Sequence, residues 1–504
     1  MTTDRADRSW TGLALLAAAL VVAAWRWFAA GAPPGGDWAQ YMGHALALLQ
    51  GRPYEDTGYL YSPLAWTVGP PRYPPGLPLT LTPLFMLFGT STLAPRLLMH
   101  AFLFAFLALV ARYFLRDGEP PALVWGSVAM LGASFLLRDV PNVVGSDLGF
   151  CALAWTVLLL ADRPGAWSGT RTIAIAALGA WAILYRIAAA PLIPALLVPA
   201  LIRRREVGVR ALLPALVWTV VLVVVVTRFG PGQAPVDTMS GVASGGGERS
   251  VGASLQWLLE RMDRKVLRYR FALQEAWLYP FPGRSADRIY HVLALGLTAI
   301  GGLHWIRRRW PTFAASFVLF TAAMLTVAPV WDPRYLWVLT PFACYGLFSG
   351  AASVLARLGS HDRARVHRGV AAVGALMVLG AGIETARTGA PAIPRDDLAW
   401  ATVQTRLQRL GDGRPLRVVS NRPRIVAWRT GVPAMPLPNR PLDTFLTEAR
   451  RLGITHAVIT EAAAEPELLE RWQQWLRERP ELFTLVETVG PVRLYRVHLA
   501  PSTS

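Results

Sequence analysis

The sequence predicts a mainly α, polytopic membrane protein of about eleven transmembrane helices, with juxtamembrane helices and a small C-terminal α/β domain. Three observations predict it. Hydrophobic side chains make up 53% of the 504 residues and charged ones only 16%, against roughly a quarter charged in a soluble protein. Apolar runs approaching the roughly 20 residues that cross a bilayer recur almost to residue 390. Beyond that point strand and helix patterns alternate in a water-compatible composition. Two domains follow, 1–390 in the membrane and 391–504 outside it. A net charge of +18 would suit nucleic acid in a soluble protein, but here the arginines flank apolar runs, where they set topology. Membrane lipids, and no nucleic acid, are the expected partners. Cys151 and Cys344, the two cysteines, both lie in apolar runs, which leaves no disulfide framework or Cys-based zinc site.

The candidate spans are 10–30, 94–115, 121–137, 148–161, 172–187, 188–202, 211–229, 289–306, 312–330, 335–354 and 370–383. The first is long for a signal peptide and lacks a small-residue cleavage site, so it reads as a transmembrane helix. Residues 76–89 are too few to cross and follow two prolines, which predicts an interfacial or re-entrant helix. With the N-terminus cytoplasmic, this count places Arg112, Arg116, Arg163, Arg171, Arg203 to Arg205, Arg307 to Arg309 and Arg357 inside, as expected for a cell inner membrane protein. The loops 31–95, 138–147, 230–288 and 331–334 and the C-terminal domain then lie outside. In the third of these, Leu255, Leu258, Leu259, Met262 and Val266 recur at helical spacing beside Arg261, Arg264 and Lys265, the pattern of an amphipathic surface helix. Gly245 to Gly247 read as a mobile segment able to cover a site.

In the first external loop, Trp38, Met42, Ala45, Leu46 and Leu49 form an apolar stripe closed by Gly51. Asp37, Tyr41 and His44 stand at i, i+4 and i+7 on the other side, facing away from lipid. Asp37 reads equally as an N-cap and as a carboxylate at the lip of a cavity. His44 has no second histidine at metal-ligand spacing and reads as packed or solvated before it reads as a ligand. Downstream come Tyr73-Pro74-Pro75-Gly76, then a turn from Arg138 to Asp147 that brings a second acidic group to the same edge. An Asp at the mouth of a span is costly unless paired, hydrated or functional; capping, with Arg138 as partner, is the bland alternative. Arg186 lies near the external end of its span, where a permanently charged fork suits a phosphate, or snorkels to headgroups.

Taken in order, these motifs resemble the GT-C glycosyltransferases, in particular the protein O-mannosyltransferase and aminoarabinose-transferase branch. The matching pieces are Asp37 with Trp38 and Tyr41, Tyr73 to Gly76, Ser146-Asp147, Arg186, and Arg334-Tyr335 leading to Pro341, across residues 10 to 390. The resemblance implies a GT-C fold, a polyprenyl-phosphate-linked monosaccharide as donor and Asp37 as catalytic base. A lipid-phosphate leaving group departs as a stabilised anion, so a base for the acceptor hydroxyl is the main requirement. Attack opposite the phosphate inverts the anomeric centre. Arg186 and Arg334 are then candidates to hold the phosphate, with Tyr41, His44, Tyr73, Arg138 and Tyr335 as further substrate contacts. Asp147 would orient the acceptor or, with Asp37, hold a divalent cation such as Mg or Mn. The acceptor, whether glycan, lipid or protein, is left open. A lipid-linked sugar flippase or other multi-pass transporter is the alternative, but no internal repeat supports it.

In the C-terminal domain, 416–419 and 457–460 read as buried strands, 442–452 and 466–477 as amphipathic helices, and 483–486 with 492–497 as a strand pair. No catalytic set is evident there, and a structural or acceptor-guiding role is expected.

Overall fold

The computed structural model describes residues 36–62, 64, 69–134, 143–202, 209–229, 284–327, 333–358, 362–388, 396–410, 416–461 and 466–499. The first predicted span, Arg138, the amphipathic stretch around 255–266 and Gly245 to Gly247 lie outside these residues. In chain order the helices are α1 (Gly36–Leu49), α2 (Gly76–Phe88), α3 (Leu93–Arg116), α4 (Pro121–Ala133), α5 (Ser146–Ala161), α6 (Gly169–Tyr185), α7 (Leu192–Ile202), α8 (Leu212–Phe229), α9 (Arg284–Arg309), α10 (Phe313–Val327), α11 (Thr340–Arg357), α12 (Arg363–Thr388), α13 (Asp396–Leu410), α14 (Pro423–Thr430), α15 (Leu442–Leu452) and α16 (Pro466–Glu478). The strands are β1 (Val418–Ser420), β2 (Ala434–Pro436), β3 (His456–Thr460), β4 (Phe483–Val489) and β5 (Val492–Val497).

Helices α3 to α12 stand where ten of the predicted spans were expected. Among the described residues, three stretches are long and apolar enough to cross a membrane: Leu93–Arg116, Leu212–Phe229 and Ile289–Arg309. Several others are shorter apolar helices, and apolar helices of this kind are those of a membrane protein.

The chain forms two compact units. One contains the described residues among 96–225 and 284–388; the other contains those among 36–95, 226–229 and 396–499. The C-terminal domain therefore groups in one compact unit with the first loop.

In the helical unit, α9 and α11 approach to backbone contact because Gly301, Gly346 and Gly350 face each other; a Cβ on Gly301 would collide with the Gly346 carbonyl. An aromatic cluster fills the centre, with Trp155 stacked on Phe342 at 4.8 Å and Phe114 on Tyr345 at 4.4 Å. The Trp155 indole N–H donates to the Val338 carbonyl at 3.1 Å, so its one polar atom is satisfied in the core. At the C-terminal end of α5, the Arg171 guanidinium donates to the Leu160 and Ala161 carbonyls, serving helix acceptors that have no partner in the helix itself. The Asp162 carboxylate accepts from the Tyr113 hydroxyl and from the Phe313 and Ala314 amides, which caps α10. The terminal arginines and acids are thus helix caps as well as charge signals.

In the second unit a five-stranded sheet has the order β2-β1-β3-β5-β4, with β2, β1 and β3 parallel and β5 and β4 antiparallel. Val419, Phe445, Trp472, Trp475 and Tyr495 form its core with α15 and α16. The first loop covers the β2 edge: Leu60 N–H donates to the Ala434 carbonyl at 2.8 Å, and Ala434 N–H donates to the Gly58 carbonyl at 2.9 Å. This uses backbone groups that an open edge would leave to solvent.

Helix α1 differs from expectation. Trp38, Met42 and Ala45 of the apolar stripe are buried, and so are Tyr41 and His44 on the opposite side. The helix is packed between α2 and α14 instead of lying with one face to water. The reason is that the loop after α1 folds back over the face that local periodicity left polar, with Tyr73 against Tyr41 and Tyr54 stacked on His44, while α14 reaches Asp37 and Trp38. Helix α2 has 13 residues and ends in the exposed apolar tip Met86, Leu87 and Phe88. At about 1.5 Å per residue it is too short to span, and the tip suits a membrane interface.

Candidate functional site

Asp37 lies in the first turn of α1, one residue inside the helix, so it is not the N-cap. Its Oδ1 accepts from the Tyr73 hydroxyl at 2.7 Å and from Arg424 Nη1 at 2.8 Å. The Arg424 side chain is 11% exposed and that of Asp37 39%, so a buried cation anchors a carboxylate that solvent can reach. Burial, then the neighbouring Asp37 charge, push the Tyr73 phenol well above its ordinary range, so it remains a hydrogen-bond donor. The Arg424 guanidinium also lies over the Tyr59 and Tyr73 rings at 5.3 and 5.4 Å.

The chain around this centre is built from aromatic contacts. Tyr41 meets Tyr73 edge-on at 5.1 Å, and the Tyr54 hydroxyl donates to the Tyr73 carbonyl at 2.8 Å. Trp428, one turn beyond Arg424 on α14, packs against Trp38 and Phe85. His44 is fully buried. Its Nδ1 lies 2.7 Å from the Tyr54 carbonyl, which can only accept, and its Nε2 lies 3.1 Å from Gln40 Nε2. Both contacts are satisfied by a neutral ring carrying its proton on Nδ1. Burial lowers its pKa from 6.5 to about 4. His44 therefore braces the loop against α1, a packed histidine whose ring nitrogens are engaged within the fold.

The helical unit holds a second polar centre. Asp147, in the first turn of α5, is 5% exposed. It pairs with Arg186, and Arg334 Nη1 lies 3.9 Å from its Oδ2. Arg186 occupies an extended residue between α6 and the short helical turn Ile187–Ala189, a break that frees it from helix periodicity. Its guanidinium lies 4.8 Å from the Tyr335 ring centre, and Tyr335 shares the turn Pro333–Leu336 with Arg334. The Tyr185 ring packs over Gly149, where any side chain would collide.

The expected site residues thus fall into two sets. Asp37, Tyr41, His44 and Tyr73 are together in one unit, and Asp147, Arg186, Arg334 and Tyr335 in the other. Arg138 lies outside the described residues. Sequence reasoning missed Arg424 and Trp428. The available signal was Pro423 at the first helical position and Gly431 in a left-handed C-cap (φ 70°), bounding a short helix with both residues on one face. Among the described residues, no group of three or more His, Cys, Asp or Glu could hold a metal ion.

Comparison with solved structures decides the fold. The chain is similar in fold to ArnT. The ArnT from Cupriavidus metallidurans in the apo state superposes with a TM-score of 0.55 at 15% identity, over 97% of this chain and 98% of that one. The same ArnT bound to undecaprenyl phosphate gives 0.55 at 14%, over 97% and 98%. The mycobacterial arabinofuranosyltransferase AftD gives 0.48 at 14%, covering 97% of this chain but 40% of AftD. No family model and no curated protein matches the chain. The likeness to ArnT runs from the membrane helices through the C-terminal domain.

Proposed function

We propose that the protein is an integral-membrane glycosyltransferase that moves a monosaccharide from a polyprenyl-phosphate donor to an acceptor hydroxyl, with inversion. The observation that carries this reading is Asp37, a half-exposed carboxylate oriented through Oδ1 by Tyr73 and Arg424. A guanidinium beside a carboxylate favours its charged form, the form that accepts a proton. Asp37 takes the acceptor hydroxyl proton as that oxygen bonds to the anomeric carbon. The bond from that carbon to phosphate breaks, and polyprenyl phosphate leaves with the electron pair.

Arg186, Arg334 and Tyr335 are assigned to the phosphate, since two guanidinium groups gathered at one end of the helices are forked donors of the kind a phosphate accepts. Asp147 holds Arg186 in place. The ArnT structure with bound undecaprenyl phosphate supports a lipid-phosphate partner for this fold. A divalent cation on Asp37 or Asp147 would compete with Arg424 and Arg186 for the same oxygens. Tyr73 positions Asp37, with Tyr41 and His44 packed against its ring. The reading keeps the cytoplasmic N-terminus, the extracytoplasmic C-terminal domain and the inner membrane.

The test is purified protein given a radiolabelled polyprenyl-phosphate sugar and a cell-envelope acceptor extract. Release of free polyprenyl phosphate that Asp37→Asn abolishes is expected. An intact donor moved across a vesicle membrane would mean transport instead.

A further inference from the structure

The helical unit contains a cavity of about 940 Å³ that takes no part in the reaction proposed above. It lies at the end of the bundle opposite Asp147. Asp147 is in the first turn of α5 and Asp162 follows its last residue; the cavity is lined from that far end by the start of α4 and the ends of α9 and α11 where they meet α12. A helix of 16 residues separates the two ends, about 24 Å at 1.5 Å per residue.

The charge of this cavity is one-sided. Its buried acid, Glu119, is already committed: it pairs with Arg308 and accepts from the Tyr345 hydroxyl. Arg309 lies 3.7 Å from the same carboxylate. That leaves Arg307, Arg357 and Arg363 on the lining, and among the described residues none of them has a carboxylate within ion-pair distance. Three cations around one hollow repel each other unless an anion joins them. The surface beside them is aliphatic: Ile300 and Leu303 line the cavity and are 43% and 55% exposed, and Leu355 and Leu358 nearby are 46% and 78% exposed. A soluble anion has no use for that surface. An amphiphile with a phosphate head and acyl tails uses both.

We propose that this cavity binds the phosphodiester headgroup of an anionic phospholipid, with its tails along Ile300, Leu303 and Leu355. Basic pockets between transmembrane helices are suited to such headgroups, and the positive-inside pattern assigns this end to the cytoplasmic leaflet. The bound lipid bridges the ends of α9, α11 and α12, which otherwise repel, so it raises the stability of the bundle.

The experiment uses the full-length protein in neutral phosphatidylcholine nanodiscs and titrates phosphatidylglycerol against thermal stability, with inorganic phosphate and added phosphatidylcholine as parallel arms. Phosphatidylglycerol alone is expected to raise Tm saturably. Arg307→Gln, Arg357→Gln and Arg363→Gln should each weaken the apparent affinity about fivefold, and the triple variant roughly a hundredfold. Arg365→Gln, whose side chain is 82% exposed and lies off the cavity lining, should leave it unchanged. If the triple variant folds poorly, the single variants and native mass spectrometry of retained lipid decide. An equal shift with inorganic phosphate, or an unchanged phosphatidylglycerol response in the variants, overturns the proposal.

Discussion

Arg424 Nη1 lies 2.8 Å from Asp37 Oδ1 although 387 positions separate them in the chain. The C-terminal domain therefore supplies a partner to the loop carboxylate. The guanidinium is buried and the carboxylate half-exposed, so the pair orients Asp37 without enclosing it.

Arg424→Gln should lower the rate of sugar transfer by on the order of a hundredfold, the scale of a misplaced reacting group. Expression and membrane insertion should be retained. Arg424→Lys should recover part of the rate, since it keeps the charge but loses the planar fork. Steady-state kinetics on detergent-purified protein measures this; a full rate in Arg424→Gln would remove the residue from the site.

Tyr73→Phe deletes a hydrogen bond on Asp37 Oδ1 and leaves the ring packing on Tyr41 intact. A single such bond is worth about 0.5–1.5 kcal/mol, so a fall in kcat of about tenfold or less is expected. Because burial keeps the phenol protonated well past its ordinary range, the wild-type rate should show no titration of Tyr73 near neutral pH. Comparing pH–rate profiles of the two proteins checks both points.

His44 makes the loop unit acid-sensitive. Its pKa falls from 6.5 to about 4 on folding, so between those values the unfolded chain binds more protons. Stability then rises with pH across that window and is lost as pH falls from about 6.5 to about 4. The shift corresponds to about 3 kcal/mol at most. His44→Asn, which keeps a donor near the Nδ1 position, should flatten Tm against pH over that range; an unchanged slope would assign the sensitivity to another group.

Asp147 is buried and the Arg186 side chain is 14% exposed, so Asp147→Asn removes the carboxylate beside Arg186, and Arg186→Gln leaves Asp147 with Arg334 at 3.9 Å. Asp147→Asn or Arg186→Gln should each cost about 3–5 kcal/mol, and the double variant less than the sum. Unfolding monitored by tryptophan fluorescence in detergent gives the coupling. Additive losses would show that the two groups do not act as a pair.

The apolar runs, the amphipathic helices 442–452 and 466–477 and most of the strands were legible because they are written in local periodicity, which burial then follows. Asp37, Asp147 and Arg186 stood out as candidates for a related reason: charge beside an apolar run is costly; Arg334 stood out only through the order of the motifs. The eight-residue α14 and the three-residue β2 were not, because elements that short carry too little periodicity to read.

By itself the sequence determined which segments leave water, and which charged residues remain at their ends, since hydrophobicity and charge belong to each residue wherever it packs. Tertiary structure alone decided that α1 is buried on both sides, that His44 is a brace, and that Arg424 joins Tyr73 in holding Asp37. The contacts of α14 join segments hundreds of residues apart, and those of His44 and Tyr41 come from a loop folded back on α1; neither kind leaves a periodic trace in its segment.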